Sequence, residues 1–479
     1  MTLSYVHGCS TLPLMGETIG RRFDRTVERF PDREALVVRH QNARWTWREL
    51  QQAVNTLAAG LLRLRLVRGD RIGIWSQNNA EWLLTQLATA KAGLILVNVN
   101  PAYRRAELEH ALNLVQCRAL IVSPSFKSSD YLAMLAELMP EIADSAPGQL
   151  HAEKVPALEL IIRLGNDVTP GMINFAQLLQ AARGHELDEL QAVGEQLQCD
   201  DPINIQFTSG TTGAPKGATL THHNILNNGY FCGVAMRFTE HDRLCIPVPL
   251  YHCFGMVLGN LACVAHGATM VYPDESFTAA SLLEAVEAER CTAVHGVPTM
   301  FIAALEHREF DRYDLSSLRT GAMGGAPCPV RVMNQVMERM HMREVTIVYG
   351  MTETSPVSFQ SAADDPVDKR VATVGRVQPH VEVKIVDEQG RIVPRGVTGE
   401  LLTRGYSVME GYWNDPQRTR QSIDRAGWMH SGDLATIDGD GYCQIVGRCK
   451  DMVIRGGENI FPREIEDQLY KHPKILDVQ

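Results

Sequence analysis

The chain has 479 residues, which at roughly 150 residues per domain predicts about three packed units. Hydrophobic residues make up 45% and charged residues 21%, the usage of an ordinary globular protein, which argues against a disordered or fibrous chain. The formal net charge of −10 leaves no basic footprint for DNA, RNA or an anionic bilayer, so we expect no nucleic-acid partner.

The cysteines and the N-terminus indicate the compartment. The eleven cysteines contain no Cys-x-x-Cys pair and are odd in number, which favours a reducing compartment over a disulfide framework. The N-terminus has no basic stretch followed by an apolar run, and no segment approaches the roughly 18 apolar residues of a membrane helix. We therefore expect a cytoplasmic protein without an integral membrane segment.

The first part of the chain predicts alternating helices and strands. Thr46 and Glu49 have the spacing of a capping box, and an amphipathic helix is predicted behind them. Short apolar runs then alternate with helix-length segments, at 72–75, 94–97, 119–122 and 160–162. This alternation is typical of a parallel sheet wrapped by helices.

The rest of the chain predicts a second α/β unit and then a mostly β unit. Strand candidates of the second unit lie at 244–248, 268–272 and 346–349. From Val374 onward the apolar period changes to two, which predicts antiparallel strands. After Arg448 only a strand at 452–454, a loop and a helix from 462 to about 470 are predicted, too little to enclose a core.

The densest chemical signal is the segment 208–217, Thr-Ser-Gly-Thr-Thr-Gly-Ala-Pro-Lys-Gly. Its hydroxyls, glycines and lysine predict a loop that turns N–H groups, hydroxyls and one ammonium toward phosphate oxygens. It is not a Walker A loop, because Pro215 rather than glycine precedes Lys216, and it contains no G-x-G-x-x-G. A flexible surface turn is the alternative. The candidate phosphate-binding residues are Thr208, Ser209, Gly210, Thr211, Thr212, Gly213, Ala214, Pro215 and Lys216.

With this loop, the chain resembles the adenylate-forming superfamily, which includes acyl-CoA synthetases, aryl-CoA ligases, luciferases and the adenylation domains of peptide synthetases. It is most similar to medium- and long-chain fatty acyl-CoA synthetases of the acyl-CoA synthetase family member 2 type. The resemblance extends over essentially the whole chain, with the motifs in the same order. It implies an α/β N-terminal domain at 1–447, built from two parallel-sheet subdomains (about 1–200 and 201–360) and a small β-barrel-like subdomain (361–447).

A second motif, Tyr-Gly-Met-Thr-Glu-Thr at 349–354, carries the nucleotide and metal roles. The resemblance implies that Tyr349 stacks on adenine, with Gly350 and Met351 beside it, that Thr352 contacts the α-phosphate, and that Glu353 holds Mg²⁺. These residue types suit the task, because an aromatic face accepts a purine and a carboxylate is a hard oxygen ligand. The resemblance also implies that Thr208 is the second residue of the metal site. It implies that Lys216 is a catalytic residue, together with Thr352 and Glu353.

Three further segments complete the implied nucleotide site. The segment 321–327 resembles the stretch whose backbone lines the adenine pocket, although a glycine-rich strand exit is the alternative; its implied members are Gly324, Gly325, Ala326 and Pro327. Asp433 matches the acid that binds both ribose hydroxyls, and an ionised carboxylate can accept two O–H donors. Arg448 matches the arginine on the other side of the ribose.

His252 lies in Pro-Leu-Tyr-His-Cys-Phe-Gly at 249–255, and the resemblance places it where the acyl carboxylate meets ATP. A zinc site at His252 and Cys253 is rejected, because no other His or Cys supplies ligand spacing. A serine hydrolase is also rejected, because 405–409 lacks the last glycine of G-x-S-x-G. Val297 and Gly350 are implied to line the acyl pocket with His252.

The resemblance also assigns the end of the chain. Lys450 falls on the hinge of the small α+β C-terminal domain, and Gly456 and Gly457 fall on the loop that lines the CoA tunnel. Complete members continue for roughly another hundred residues and carry a catalytic lysine near their end. We expect 448–479 to be an incomplete C-terminal domain and the 479-residue chain to be impaired in catalysis.

The implied function is ATP- and Mg²⁺-dependent activation of a carboxylic acid, followed by transfer to coenzyme A. Acetate-specific relatives carry Trp at the position of Gly350, and we expect the glycine to leave that space open for a larger acid. No acidic residue occurs at 247–256 to hold an α-amino group. Transfer to another acceptor and a nucleotide-binding pseudoenzyme are the alternatives. The oligomeric state is left open, with a homodimer among the alternatives.

Overall fold

The computed structural model describes residues 2–180, 184–208 and 215–449, the strands Val453–Arg455 and Glu458–Ile460, and positions 465 and 469. Three sheets of five or more strands organise this part of the chain. The strands Val453–Arg455 and Glu458–Ile460 pair with each other, as do Ser125–Phe126 and Ser129–Asp130.

The first sheet has eight strands, and its six leading strands are parallel. Its last two strands are antiparallel, because Pro202–Thr208 turns back as a hairpin onto Lys216–Thr221. In spatial order the strands are Ile173–Asn174, Leu160–Arg163, Ala119–Val122, Arg71–Trp75, Ile95–Asn98, Pro202–Thr208, Lys216–Thr221 and Gly411–Tyr412.

The second sheet has nine strands, with a parallel centre and antiparallel strands at both ends. In spatial order they are Arg376–Val377, Val357–Gln360, Glu344–Gly350, Thr320–Gly324, Ala293–Gly296, Arg243–Cys245, Thr269–Tyr272, Glu34–Val38 and Ala43–Thr46.

The third sheet is entirely antiparallel. Its order is Tyr5–His7, Val381–Val386, Gly399–Gly405, Met429–Ile437 and Cys443–Arg448. This sheet confirms the period-two pattern predicted after Val374. The N-terminal strand Tyr5–His7, which the sequence did not predict, forms one of its edges.

The helices connect and cover these sheets. Thr46 accepts from the Glu49 N–H, and Glu49 accepts from the Thr46 N–H, which confirms the predicted capping box. The α-helices are Ile19–Arg29, Trp47–Arg63, Ala80–Ala92, Arg105–Leu114, Tyr131–Leu138, Phe175–Leu178, Gly184–Gln196, His222–Ala235, Ala262–His266, Ala279–Glu289, Pro298–Leu305, Val330–Arg339, Val367–Ala372 and Pro416–Ser422. The shorter turns are Arg39–Gln41, Pro140–Asp144, Phe310–Arg312 and Thr352–Thr354, and Phe254–Leu261 is a π-helix.

Sheet membership differs from the boundaries predicted at about 200 and 360. The early strands Glu34–Val38 and Ala43–Thr46 belong to the second sheet, whereas the hairpin from Pro202 to Thr221 belongs to the first. These boundaries are therefore wrong as sheet boundaries. The physical reason is that a strand joins whichever sheet edge offers hydrogen bonds in space, and alternation along the chain does not specify that edge. Within the two sheets, the parallel α/β architecture is confirmed.

The largest core cluster lies between the first two sheets. It contains Ile72 and Ile74 from the first sheet, Leu36 and Met270 from the second, and the fully buried Trp82 of an intervening helix. A shared core of this kind orients both sheets rigidly, so the loops at their strand ends are held together. In the described part of the chain, no helix is long and apolar enough to cross a membrane.

Candidate nucleotide site

The predicted site residues lie where strands of the second sheet end. Gly324 and Gly350 are the last residues of adjacent parallel strands, and Val297 directly follows a third. The carboxyl ends of parallel strands meet at one edge of a sheet, which is where α/β proteins bind ligands. The first sheet contributes its hairpin to the same site through Thr208 and Lys216, which are register partners.

Glu353 is the centre of a hydrogen-bonded cluster. Its side chain is buried, and its Oε1 accepts from the Thr208 hydroxyl at 3.3 Å and from the Tyr412 hydroxyl at 2.8 Å. The Lys216 ammonium donates to the Tyr412 hydroxyl oxygen at 3.1 Å and lies 4.4 Å from the centre of the Tyr412 ring. Two predicted residues from the phosphate loop thus reach the predicted metal ligand, one directly and one through Tyr412.

These residues fit a magnesium ion. Carboxylate and hydroxyl oxygens are hard donors, and the buried Glu353 carboxylate has no cationic side chain within 4 Å in the described residues. No group of three or more His, Cys, Asp or Glu in the described residues could form an all-protein cage. Mg²⁺ binds through one or two protein oxygens and completes its shell with water and substrate phosphates, so Glu353 and Thr208 could supply its protein ligands.

Tyr349 and Asp433 form the second part of the site. The Tyr349 hydroxyl donates to Asp433 Oδ2, and Arg448 Nε lies 3.4 Å from Asp433 Oδ1. Asp433 and Arg448 are register partners on adjacent strands of the third sheet. The structure therefore brings the three predicted nucleotide residues into one contact group, although their roles toward ATP stay predictions.

The segment after the strand Thr320–Gly324 forms an exposed lip. Gly325, Ala326 and Pro327 are exposed, and Gly325 has a φ of +81°, a conformation that favours glycine. A Cβ on Gly324 would lie 2.5 Å from Val348 Cγ2, so only glycine allows this close approach of the two strands. A surface of backbone and small side chains suits the flat face of a base.

The space at Gly350 is not open, which corrects the sequence interpretation. A Cβ at this position would lie 1.7 Å from the Pro356 carbonyl oxygen. The register with the neighbouring strand shifts between Tyr349 and Gly350, and this irregularity brings the Pro356 backbone against the glycine. Gly350 therefore serves close backbone packing, and acyl specificity cannot rest on room left for a side chain there.

His252 lies in a turn directly before the π-helix Phe254–Leu261, and Asn98 of the first sheet donates to the Tyr251 carbonyl oxygen of this turn at 3.0 Å. The neighbouring Cys253 thiol donates to Gln206 Oε1 at 3.0 Å, and burial raises the pKa of this thiol to about 12. His252 itself reaches solvent, but the dense protein around it lowers the pKa of its imidazole. A neutral imidazole can donate or accept one hydrogen bond without adding charge.

Some predicted residues lie outside the described part of the chain. They are Ser209, Gly210, Thr211, Thr212, Gly213, Ala214, Lys450, Gly456 and Gly457. The helix predicted from 462 to about 470 lies mostly outside it as well. Of the phosphate loop, Thr208, Pro215 and Lys216 are described, and the Pro215 carbonyl oxygen lies 3.3 Å from His110 Nε2.

Tyr412 is a site residue that no motif in the sequence indicated. This residue belongs to the two-residue strand Gly411–Tyr412, which pairs with Lys216–Thr221 about 190 positions earlier. No chemical motif surrounds it, and a single tyrosine is ordinarily read as a core residue. The signal was available only from the pairing of the two strands.

The family described as "AMP-binding enzyme" matches residues 23–413. Medium-chain acyl-CoA ligase ACSF2, mitochondrial, of Danio rerio is 47% identical over 100% of this chain and 79% of its own length. YngI of Bacillus subtilis (strain 168), provisionally named an acyl-CoA synthetase, is 49% identical over 97% of this chain and 85% of its own.

The solved structures agree with these relatives. The anthranilate CoA ligase AuaEII in complex with anthranoyl-AMP superimposes with a TM-score of 0.84 at 25% identity, covering 97% of this chain and 84% of that one. ATP-bound MatB from Rhodopseudomonas palustris has a TM-score of 0.76 at 27% identity, covering 96% and 84%. The chain therefore belongs to the AMP-binding enzyme family, the adenylate-forming superfamily that its motifs resemble.

Proposed function

We propose that this chain is an AMP-forming acyl-CoA ligase that activates a medium- or long-chain carboxylic acid with ATP. The observation that carries the proposal is the convergence of Thr208, Lys216 and Glu353 from two sheets, with Tyr349, which pairs with Asp433, on the strand that leads to Glu353. Relatives named as acyl-CoA ligases and synthetases, similar over nearly the whole chain, support the reaction class.

Nucleotide binding would use three described residues. The Tyr349 ring offers an aromatic face to adenine. Asp433 offers two carboxylate oxygens to the ribose hydroxyls. One ribose hydroxyl would replace the Tyr349 hydroxyl as the hydrogen-bond donor to Asp433. Arg448 faces the same carboxylate and would lie on the other side of the ribose.

In the first step, an oxygen of the substrate carboxylate attacks the α-phosphorus, a new P–O bond forms, and the bond to the leaving pyrophosphate breaks. Lys216 and Thr352 would hold phosphate oxygens, and the neutral His252 would orient the carboxylate without repelling or neutralising it. Mg²⁺ held at Glu353 and Thr208 would neutralise phosphate charge. In the second step, the CoA thiolate attacks the acyl carbonyl carbon and AMP leaves.

The acid would be larger than acetate and lack an α-amino group. The absence of an acidic side chain at 247–256 supports the second point, and the name of the zebrafish relative, a medium-chain acyl-CoA ligase, supports a medium-chain acid. Val297, half-buried beside Gly325, is the proposed wall residue of the acyl pocket. Mg²⁺ as the metal, a homodimer and a cytoplasmic location stay predictions of the sequence.

Two measurements test the proposal. Titration calorimetry with a non-reactive octanoyl-adenylate mimic, an acyl sulfamate of adenosine, should give binding at least about tenfold tighter than AMP, because it adds acyl contacts to nucleotide contacts. Formation of acyl-CoA from ATP, CoA and acids of two to sixteen carbons should peak above acetate. Equal binding of the mimic and AMP would contradict an acyl-activating site. Pyrophosphate release without a thioester would favour another acceptor, and nucleotide binding without either product would favour the pseudoenzyme.

A further inference from the structure

Tyr412 lies between the two opposite charges of the site. Its hydroxyl accepts from the Lys216 ammonium at 3.1 Å and donates to Glu353 Oε1 at 2.8 Å. Among the described residues, no direct ion pair joins Lys216 to Glu353 within 4 Å. A single phenol therefore separates a cation from an anion that would otherwise attract each other across a buried site.

The Tyr412 side chain is held firmly enough to act as a spacer. Tyr412 is only 6% exposed, its backbone pairs with Ala218, and its N–H donates to Thr419 Oγ1 at 2.9 Å. The ring also lies under the Lys216 ammonium, so the phenol and the lysine contact each other through both ring and hydroxyl.

Only one proton arrangement satisfies all three groups. An ammonium can only donate and an ionised carboxylate can only accept, so the phenol must accept from Lys216 and donate to Glu353. The phenol has a single proton, and its 2.8 Å contact with Glu353 Oε1 uses that proton. The phenol thus binds each charge by a hydrogen bond and leaves the ammonium for phosphate and the second carboxylate oxygen for a metal ion.

We propose that Tyr412 is a positioning residue that keeps Lys216 and Glu353 from pairing directly, so that one remains available for phosphate and the other for the metal. This inference rests on the proposed function, because it assigns ATP as the ligand of both groups. Without the hydroxyl, the ammonium and the carboxylate form an ion pair, and MgATP must break that pair before it binds.

The test is Tyr412→Phe, which removes the hydroxyl and keeps the ring over which Lys216 lies. Affinity for MgATP, measured by calorimetry, should fall about tenfold, because MgATP must first break the new ion pair between Lys216 and Glu353. The matched control is Tyr442→Phe. Tyr442 also donates to a buried carboxylate, Asp365 Oδ1 at 2.6 Å, and also has a lysine over its ring, but it contacts none of the site residues in the described contacts.

A double-mutant cycle separates positioning from packing. In a Lys216→Met background no ammonium can capture Glu353, so Tyr412→Phe should change MgATP affinity less than twofold there. An undiminished effect in that background would overturn the inference, as would equal MgATP affinity of Tyr412→Phe and Tyr442→Phe. Failure of the unchanged chain to bind ATP would overturn the proposed function. This result differs from the two above, in which the unchanged chain binds ATP and only the inference about Tyr412 fails.

The fold of each variant is checked by its thermal transition. As a second test, the comparison is repeated in a Glu353→Gln background, in which no carboxylate remains to pair with Lys216. There Tyr412→Phe should change the affinity for metal-free ATP less than twofold, and a change of about fivefold or more would overturn the inference.

Discussion

The phenolic hydroxyl of Tyr349 donates a hydrogen bond to Asp433 Oδ2 across 84 positions of sequence, joining the second sheet to the third. Burial raises the pKa of Tyr349, and the charge of Asp433 raises it further, so this phenol stays a donor. The other carboxylate oxygen of Asp433 faces Arg448. The acid assigned to the ribose is thus held from both sides before any nucleotide binds.

Replacing Asp433 should weaken nucleotide binding without unfolding the chain. Asp433→Ala removes the proposed acceptor of two ribose hydroxyls, and we expect a loss of about 2–5 kcal/mol in ATP binding, because charge-assisted bonds contribute about 1.5–3 kcal/mol each and are not additive. Titration calorimetry checks this, with Asp440→Ala in an exposed turn as the control. Unchanged ATP affinity in Asp433→Ala would refute its assignment to the ribose.

Replacing Gly350 should strain the backbone instead of filling an acyl pocket. In Gly350→Ala the new Cβ meets the Pro356 carbonyl oxygen, so the strand end must move, and we expect a loss of about 1–3 kcal/mol or more in the free energy of unfolding. Urea unfolding checks this against Gly439→Ala, where an added Cβ meets no atom within 4 Å. Equal stability of the two variants would show that space exists at Gly350.

His295 should make the chain less stable in mild acid. Its Nε2 lies 3.0 Å from the Leu258 carbonyl oxygen and its Nδ1 accepts from the Ala322 N–H, and burial lowers its pKa to about 4. Below about pH 6.5 the unfolded chain binds a proton that folded His295 does not, so the free energy of unfolding falls by about 1.4 kcal/mol per pH unit until pH reaches the folded pKa.

The comparison of urea midpoints at pH 7 and pH 5 checks this. The unchanged chain should lose about 2 kcal/mol more than His295→Gln, which has no proton to bind. His241→Gln, whose side chain is 73% exposed, serves as the control and should behave like the unchanged chain. An identical pH dependence in His295→Gln would contradict a buried, neutral His295.

Asn228 should contribute strongly to the free energy of unfolding, because it holds the start of the strand Val357–Gln360, which follows the motif at 349–354. It is fully buried, donates to the Val357 carbonyl oxygen at 2.8 Å and accepts from the Val357 N–H at 3.0 Å. Asn228→Leu leaves both backbone groups without partners, so we expect a loss of about 2–4 kcal/mol in urea unfolding. The exposed Asn166→Leu should stay within about 0.5 kcal/mol of the unchanged chain. A similar value for Asn228→Leu would mean that water replaces the amide.

Local patterns predicted the elements well. The strand Ala119–Val122 has its predicted bounds, and the capping box at Thr46 starts the predicted helix. The π-helix Phe254–Leu261 could not be predicted, because an apolar run of this length has the same composition in any helix type. The predicted strand 244–248 ends early, at Cys245, because the chain there leaves the sheet toward the site turn.

The sequence by itself determined the chemistry of the site, because hydroxyls, glycines, a lysine and a carboxylate in fixed local order are readable without coordinates. Only the tertiary structure decided which of these groups meet. The Thr208–Glu353 and Lys216–Tyr412 contacts join residues 145 and 196 positions apart, and the closure of Gly350 depends on a register shift between strands. Such contacts arise from packing between sheets, which sequence spacing does not encode, whereas helix and turn signals arise from hydrogen bonds between near neighbours.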